Sequence, residues 1–180
     1  MNTVEAQNIV EEKIISKLCN CSVIEKYTKE YDTCFVFYYQ SNDYIESHDI
    51  KDMLVGQGPV IVDKISGKIF ETGSAYSTEH YVKAFEACGN PYGEPSSIIL
   101  ITGWQDGANK VGATKLIKQL TGFGLADAKQ VIDSVLSGNK ESITLLDINK
   151  VQNTAEQLNS LGFNNKQLWS TPGESGTDQI

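Results

Sequence analysis

The chain has 180 residues, 40 % of them hydrophobic and 21 % charged, enough for one medium domain or two small ones with packed cores. No apolar run approaches the ~18–20 residues that span a bilayer, and the opening MNTVEAQNIVEEK lacks the continuous apolar stretch of a signal peptide. All 15 basic residues are lysine, so the rigid guanidinium fork of a sequence-specific DNA reader is missing, and the formal charge of -8 is spread unevenly.

Residues 1–97 hold eight lysines against fifteen acids, whereas residues 98–168 hold seven against six. An acidic first half and a near-neutral second half point to two modules with different partners. Four cysteines (Cys19, Cys21, Cys34, Cys88) without an export signal read as reduced thiols in a cytoplasm.

In chain order, residues 4–18 place Val4, Ile9, Val10, Ile14, Ile15 and Leu18 at helical spacing, which predicts an amphipathic helix. From Ser22 the pattern changes. VIEKYTKEY alternates roughly by two, and TCFVFYYQS has the aromatic and β-branched density of a buried strand. SNDYIESHDIKDM is polar and reads as a solvated loop. PVIVDKISGKIFETG reads as two strands joined at Ser66-Gly67. STEHYVKAFEACG reads as a helix capped by Ser77, with Glu79 in its first turn and a stop at Gly89. Helix, antiparallel strands, helix makes an α+β domain over residues 1–93. NPYGEPSS, residues 90–97, has linker composition.

A second small domain, residues 97–168, follows. SIILITGW is a strand, NKVGATKLIKQLT and LADAKQVIDSVLSG are helices, ESITLLDI is a strand, NKVQNTAEQLNSLG a helix and FNNKQLWS a weak last strand. The order is βααβαβ. Residues 169–180 have the composition of a flexible tail.

The glycines of KVGATKLIKQLTGFGLADAK invite a phosphate-loop reading, but a dinucleotide fingerprint needs a strand running into its first glycine. Here Ala113, Leu116, Ile117 and Leu120 recur at helical spacing before Gly122, and no Gly-Lys-Ser/Thr follows. The pair reads instead as a helix–helix corner in which Gly122 takes a positive φ and ends the first helix. With Ala113, Leu116, Ile117 and Leu120 as the buried stripe, Lys110, Val111, Thr114, Lys115 and Lys118 are expected on the exposed face. There lysines would steer a partner and valine would supply dry contact; the alternative is an ordinary solvated helix face.

This stretch with its preceding strand, from about Ser97 to Leu168, resembles the C-terminal domain of the bacterial large-subunit ribosomal stalk protein. The resemblance rests on the lysine-valine helix, the Thr121-Gly-x-Gly-Leu125 corner and the Ala128-Lys129 pair. It implies a compact βααβαβ unit whose first two helices recruit translational GTPases, with Lys110, Val111, Lys115, Lys118 and Lys129 as contact positions. The sequence departs from the family at Thr114 (usually isoleucine), Lys118 (usually arginine) and Gly112 (usually alanine), the last costing ~1 kcal/mol of helix propensity. The stalk protein's dimerising helices and alanine-rich hinge are absent.

Residues 31–86 resemble the immunity protein 35 family of bacterial polymorphic-toxin systems. The carrying residues are Gln40-Ser41 at the end of the aromatic strand, the Gly56 to Gly67 block, Gly73, and Glu79-x-Tyr81. The resemblance implies a protein that binds a toxin and performs no chemistry. An acidic face would steer it toward a basic target, and Asp43, Glu46, Asp49 and Asp52 are the first candidates for that face. The Asp-x-Asp-x-Asp-Gly spacing of a calcium loop is missing.

His48 and His80 are the only histidines, and no nucleophile signature surrounds Cys34 or Cys88. Cys19-Asn20-Cys21 lacks the second ligand pair of a zinc tetrahedron. The expectation is a cytoplasmic, two-domain, non-enzymatic binding protein without metal or cofactor. Its first domain occludes a protein toxin, and its second presents the lysine-valine face to a second partner, such as a translational GTPase or the ribosome, or to another face of the same toxin. Neither a membrane nor directly read nucleic acid is expected as a partner. Two other readings are a translation-associated adaptor and an enzyme using Cys34 or Cys88. An eight-residue linker would hold the two domains at an r.m.s. separation of ~15 Å, enough for bivalent capture.

Overall fold

The computed structural model describes residues 1–171, so most of the expected tail lies outside the described residues. The chain divides into two compact units, one of Met1–Tyr92 and one from Gly93 onward.

The first unit opens with α1 (Thr3–Lys13), started by a capping box between Asn2 and Glu5. α1 buries Ala6, Val10 and Ile14, an i, i+4, i+8 stripe, and leaves Val4 exposed. The helix expected to reach Leu18 stops at Lys13 and tightens into a 3-10 turn at Ile15–Lys17. The alternating stretch expected as a strand is broken into β1 (Cys21–Val23), a 3-10 turn (Glu25–Tyr27) and the two-residue β2 (Lys29–Glu30). The aromatic run yields β3 (Cys34–Phe37) and β4 (Tyr39–Ser41), separated by Tyr38 alone.

The polar stretch expected as a loop is partly helical, with α2 (Asn42–Ser47) and a 3-10 turn (Ile50–Asp52). Side-chain caps explain the difference. Ser41 Oγ accepts from the Tyr44 N–H, and Asp49 accepts from the Lys51 N–H. β5 (Gln57–Asp63), β6 (Ile69–Gly73) and α3 (Thr78–Cys88) complete the unit, α3 being capped by Ser77 and ended by Gly89 at φ 74°.

β2, β3, β5 and β6 form an antiparallel sheet in that order, and β1 pairs separately with β4. α1 covers one face of the sheet, where Ala6, Val10 and Ile14 meet Phe35, Phe37, Val60 and Val62. α3 covers the other, where Tyr81, Val82 and Phe85 meet Cys34, Val36 and Ile61. A strand buried on both faces has no polar side to show, which is why Cys34–Phe37 reads without alternation. β6 is an edge strand. The Tyr81 hydroxyl donates to its Gly73 carbonyl and the Tyr92 hydroxyl to its Glu71 carbonyl.

In the second unit, β7 (Glu94–Trp104), α4 (Lys110–Thr121), α5 (Leu125–Leu136), β8 (Glu141–Thr144), α6 (Val151–Ser160) and β9 (Phe163–Ser170) follow the order β-α-α-β-α-β. The sheet is antiparallel with β7 between β8 and β9. Ile99, Ile101 and Ile143 of the sheet pack with Ala113, Ile117, Ala128, Ile132, Val135 and Leu158 of the three helices in one core.

The structure moves several expected bounds. β7 begins at Glu94, which pairs with Ser170, so the linker expected over 90–97 is short: Gly89 ends α3 and residues 94–97 are already strand. Trp169 and Ser170 belong to β9 and not to a tail. The strand expected over ESITLLDI ends at Thr144 and gives way to a 3-10 turn at Ile148–Lys150.

Candidate protein-binding surfaces

α4 and α5 form an antiparallel hairpin closed by Gly122, which sits at φ 77° and ends α4 in the left-handed region that a side chain disfavours. Asn109 caps the start of α4 through Gly112 N–H. Ala113 and Ile117 are buried, and Leu116 and Leu120 pack against the same core.

Thr114 departs from expectation. It is buried, and its hydroxyl donates to the Lys110 carbonyl one turn earlier. The buried face centres on Ile117 and includes Thr114 and Thr121, so the stripe is turned from the one that Leu116 and Leu120 alone imply. The turn also places Lys110 at the border of the buried face, where its ammonium pairs with Asp133 of α5. The hydrogen bond from Lys110 holds the Asp133 carboxyl below the usual carboxylate range, with Lys129 adding to the effect. Lys110 therefore clamps the hairpin as well as facing solvent.

Val111 keeps 63 % of its surface exposed, and Lys115, Lys118 and Lys129 are exposed beside it. Two further apolar side chains, Leu125 at the start of α5 and Leu146 after β8, are exposed at the corner end. Leu146 lies against Gly122, and its N–H donates to the Leu120 carbonyl. Spacing could not reveal Leu146 because a leucine after a strand reads as core.

In the first unit, Asp43 and Glu46 lie exposed on α2, and Asp49 and Asp52 on the following turn. Local structure employs two of the four: Asp49 caps the 3-10 turn, and Asp52 accepts from the Ser47 hydroxyl. The segment is also apolar, with Ile50 and Val55 largely exposed. It is held by Gln40, whose buried side chain makes three hydrogen bonds. Gln40 Nε2 donates to the Leu54 carbonyl at 3.1 Å, and its Oε1 accepts from Leu54 N–H at 2.6 Å and Ser41 N–H at 2.9 Å.

The thiols differ in accessibility. Cys34 is buried in β3, and burial pushes its thiol up to about 11, away from the thiolate a nucleophile needs. Cys19 is exposed. Among the described residues no group of three or more His, Cys, Asp or Glu side chains could hold a metal ion, and no helix is long and apolar enough to cross a membrane.

Residues 6–84 match the family model described as Immunity protein 35. The Immunity protein 35 match spans α1 through most of α3 and so takes in the sheet and both covering helices. Many of its motif residues are structural here: Gln40 and Ser41 fix the acidic segment, and Tyr81 is buried against β6.

The C-terminal part is similar to large ribosomal subunit protein bL12. The bL12 of Parabacteroides distasonis is 43% identical over 51 residues, 28% of this chain and 41% of that protein. That of Coxiella burnetii is 39% identical over 51 residues, 28% of this chain and 40% of that protein. That of Flavobacterium johnsoniae is 47% identical over 38 residues, 21% of this chain and 31% of that protein. The chain thus spans about two-fifths or less of the length of the curated relatives it matches. No solved structure matches.

Proposed function

We propose that this chain is a cytoplasmic, non-enzymatic binding protein that neutralises a bacterial toxin by occlusion through its first unit, and that its bL12-like unit is a second docking module. The single observation that carries the first half is the match of residues 6–84 to Immunity protein 35, which covers the sheet and both helices packed on it. The burial of Cys34 inside the sheet, out of a substrate's reach, supports a binding role over catalysis by that thiol. The exposed acids Asp43, Glu46, Asp49 and Asp52 would accelerate encounter with a basic toxin.

The test is co-expression of the full chain with toxin domains from the same genome, read as growth protection and as a stoichiometric complex by calorimetry. Protection by one cognate toxin pair supports the reading. Absence of both protection and binding across the set would sink it.

A second reading, a translation-associated adaptor that recruits a translational GTPase or the ribosome, is favoured by one feature: Val111, Lys115, Lys118 and Lys129 remain exposed on the α4–α5 hairpin. Replacing Lys115 and Lys118 together by glutamate is expected to weaken GTPase or ribosome binding by at least roughly tenfold, since like charges then meet. Toxin protection through the first unit is expected to be unchanged. Loss of protection in that variant, with GTPase binding intact, would reverse the assignment of the two surfaces.

A further inference from the structure

Four aromatic rings converge where β6 hands over to α3. Tyr76 stacks on His80 with ring centroids 4.3 Å apart and planes 20° apart. Both meet Tyr81 edge-on, at 5.8 and 6.2 Å. Tyr92 also meets Tyr81 edge-on, at 6.0 Å. Tyr81 is the buried foundation of the group, and the hydroxyls of Tyr81 and Tyr92 are tied to β6 carbonyls.

Tyr76 and Tyr92 nevertheless keep 55% and 44% of their surface exposed. Rings fixed in place but open to solvent are suited to recognition, because a two-torsion side chain already held by its neighbours loses little entropy when a partner covers it. Tyrosine is also among the residues that most often anchor protein interfaces.

The aromatic group continues into the acidic segment. Gln57 pairs with Gly73 at the end of β6, so Val55 and Gly56 leave the sheet beside the strand that leads to Tyr76. Val55 is exposed there; earlier in the same segment Ile50 is exposed too, among Asp43, Glu46, Asp49 and Asp52. The rings therefore adjoin the end of a segment that carries exposed aliphatic and acidic side chains, on a half of the chain where acids outnumber lysines fifteen to eight. Ring faces attract guanidinium and ammonium groups, and carboxylates extend that attraction beyond contact range.

The geometry points to Tyr76, His80 and Tyr92, with Val55 at their border, as the toxin-facing surface of the first unit, and to a partner segment bearing arginine or lysine as its occupant. This rests on the toxin-binding reading of that unit. It differs from the acidic face alone in placing the short-range contacts on the rings and leaving the acids to steer.

Two measurements test it, both on the full chain. In the first, amide resonances are followed by NMR while a capped Gly-Arg-Gly-Arg-Gly peptide is added, with the glutamate counterpart as control. The arginine peptide is expected to shift residues 73–81 and 92 saturably, Tyr76→Ala to weaken it at least fivefold and Tyr76→Phe to retain it. Shifts spread evenly over the acidic surface, or an unaltered affinity in Tyr76→Ala, overturn the proposal.

In the second, Tyr76→Ala is measured against the toxin that the wild-type chain neutralises, with an expected rise in Kd of at least tenfold. An unchanged Kd overturns the surface while the immunity reading stands. Arginine-peptide binding at the rings with no toxin neutralised overturns the immunity reading while the cation-recognising site stands.

Discussion

Single positions in this chain carry constraints that residue type alone does not announce. Gly58 lies at the register shift between β5 and β6, where a Cβ would come within 2.1 Å of the Gly73 carbonyl oxygen. Backbone cannot swing aside as a side-chain tip does, so Gly58→Ala is expected to cost about 3 kcal/mol, the upper end of overpacking, read as a lowered denaturation midpoint. Gly112 is a different case. Its missing Cβ would meet the end of the Leu161 side chain at 2.8 Å and the Asn109 side chain at 3.0 Å. The glycine that looks costly by helix propensity thus admits the α6 end and the cap of its own helix.

The cysteines provide a second residue-scale prediction. Cys19 is expected to react with iodoacetamide at pH 8 long before Cys34, whose thiolate fraction there is about a thousandth. The folded state holds the Cys34 thiol above its ordinary value, so the stability it contributes is fully present below a pH of ~8.5 and is lost as the pH climbs toward about 11. Thermal melts across that window are expected to fall, and more so than in Cys34→Ala measured from its own neutral-pH baseline.

At the scale of elements, Gln40 is the buried tie of the segment from α2 to β5, beside the caps of Ser41 and Asp49. Gln40→Ala would strip the partner from the Leu54 N–H and leave the Leu54 carbonyl with the Gln57 amide alone, at a cost of roughly 1–3 kcal/mol. Amide exchange is expected to rise across residues 42–56 and to stay low in β3. A uniform rise through the whole first unit would refute this local role.

The same segment shows how far the sequence could be read. Strands rich in branched and aromatic residues and helices with a clear apolar period are legible, because burial on a fixed face imposes their spacing. α2 was not legible. Six mostly polar residues, capped by the preceding Ser41 and tied down through Gln40 of β4, have no period to display. Thr114 failed for a related reason. A threonine can satisfy its hydroxyl on the preceding turn and so enter a core, as it does here with the Lys110 carbonyl. The candidate surfaces were legible only in their charges. Their apolar members, Leu146 in one unit and Tyr76 and Tyr92 in the other, became recognisable once the fold left them uncovered.

At the scale of the whole molecule, the two units differ in what their surfaces attract. Acids dominate the first 97 residues, and the exposed lysines of the hairpin stand apart from them in the second unit. On the proposed toxin-binding role, association of a basic partner with the first unit is therefore expected to slow by roughly tenfold between low and high ionic strength, with little change in the dissociation rate. Stopped-flow mixing at several salt concentrations reads both rates. A salt-independent association rate would remove the steering role of the acids.

The hydroxyls of Tyr81 and Tyr92 on β6 have a consequence for the chain in bulk. A sheet ends somewhere, and an end with bare carbonyls is a template on which another chain can lay down a strand. On the proposed immunity role the chain would have to stand ready before its toxin arrives, which means high local concentration and long waiting. Two phenols closing the last strand would let the protein be stored without adding itself into fibres. With both tyrosines changed to phenylalanine, slow aggregation on standing is the expected failure, even where binding is intact.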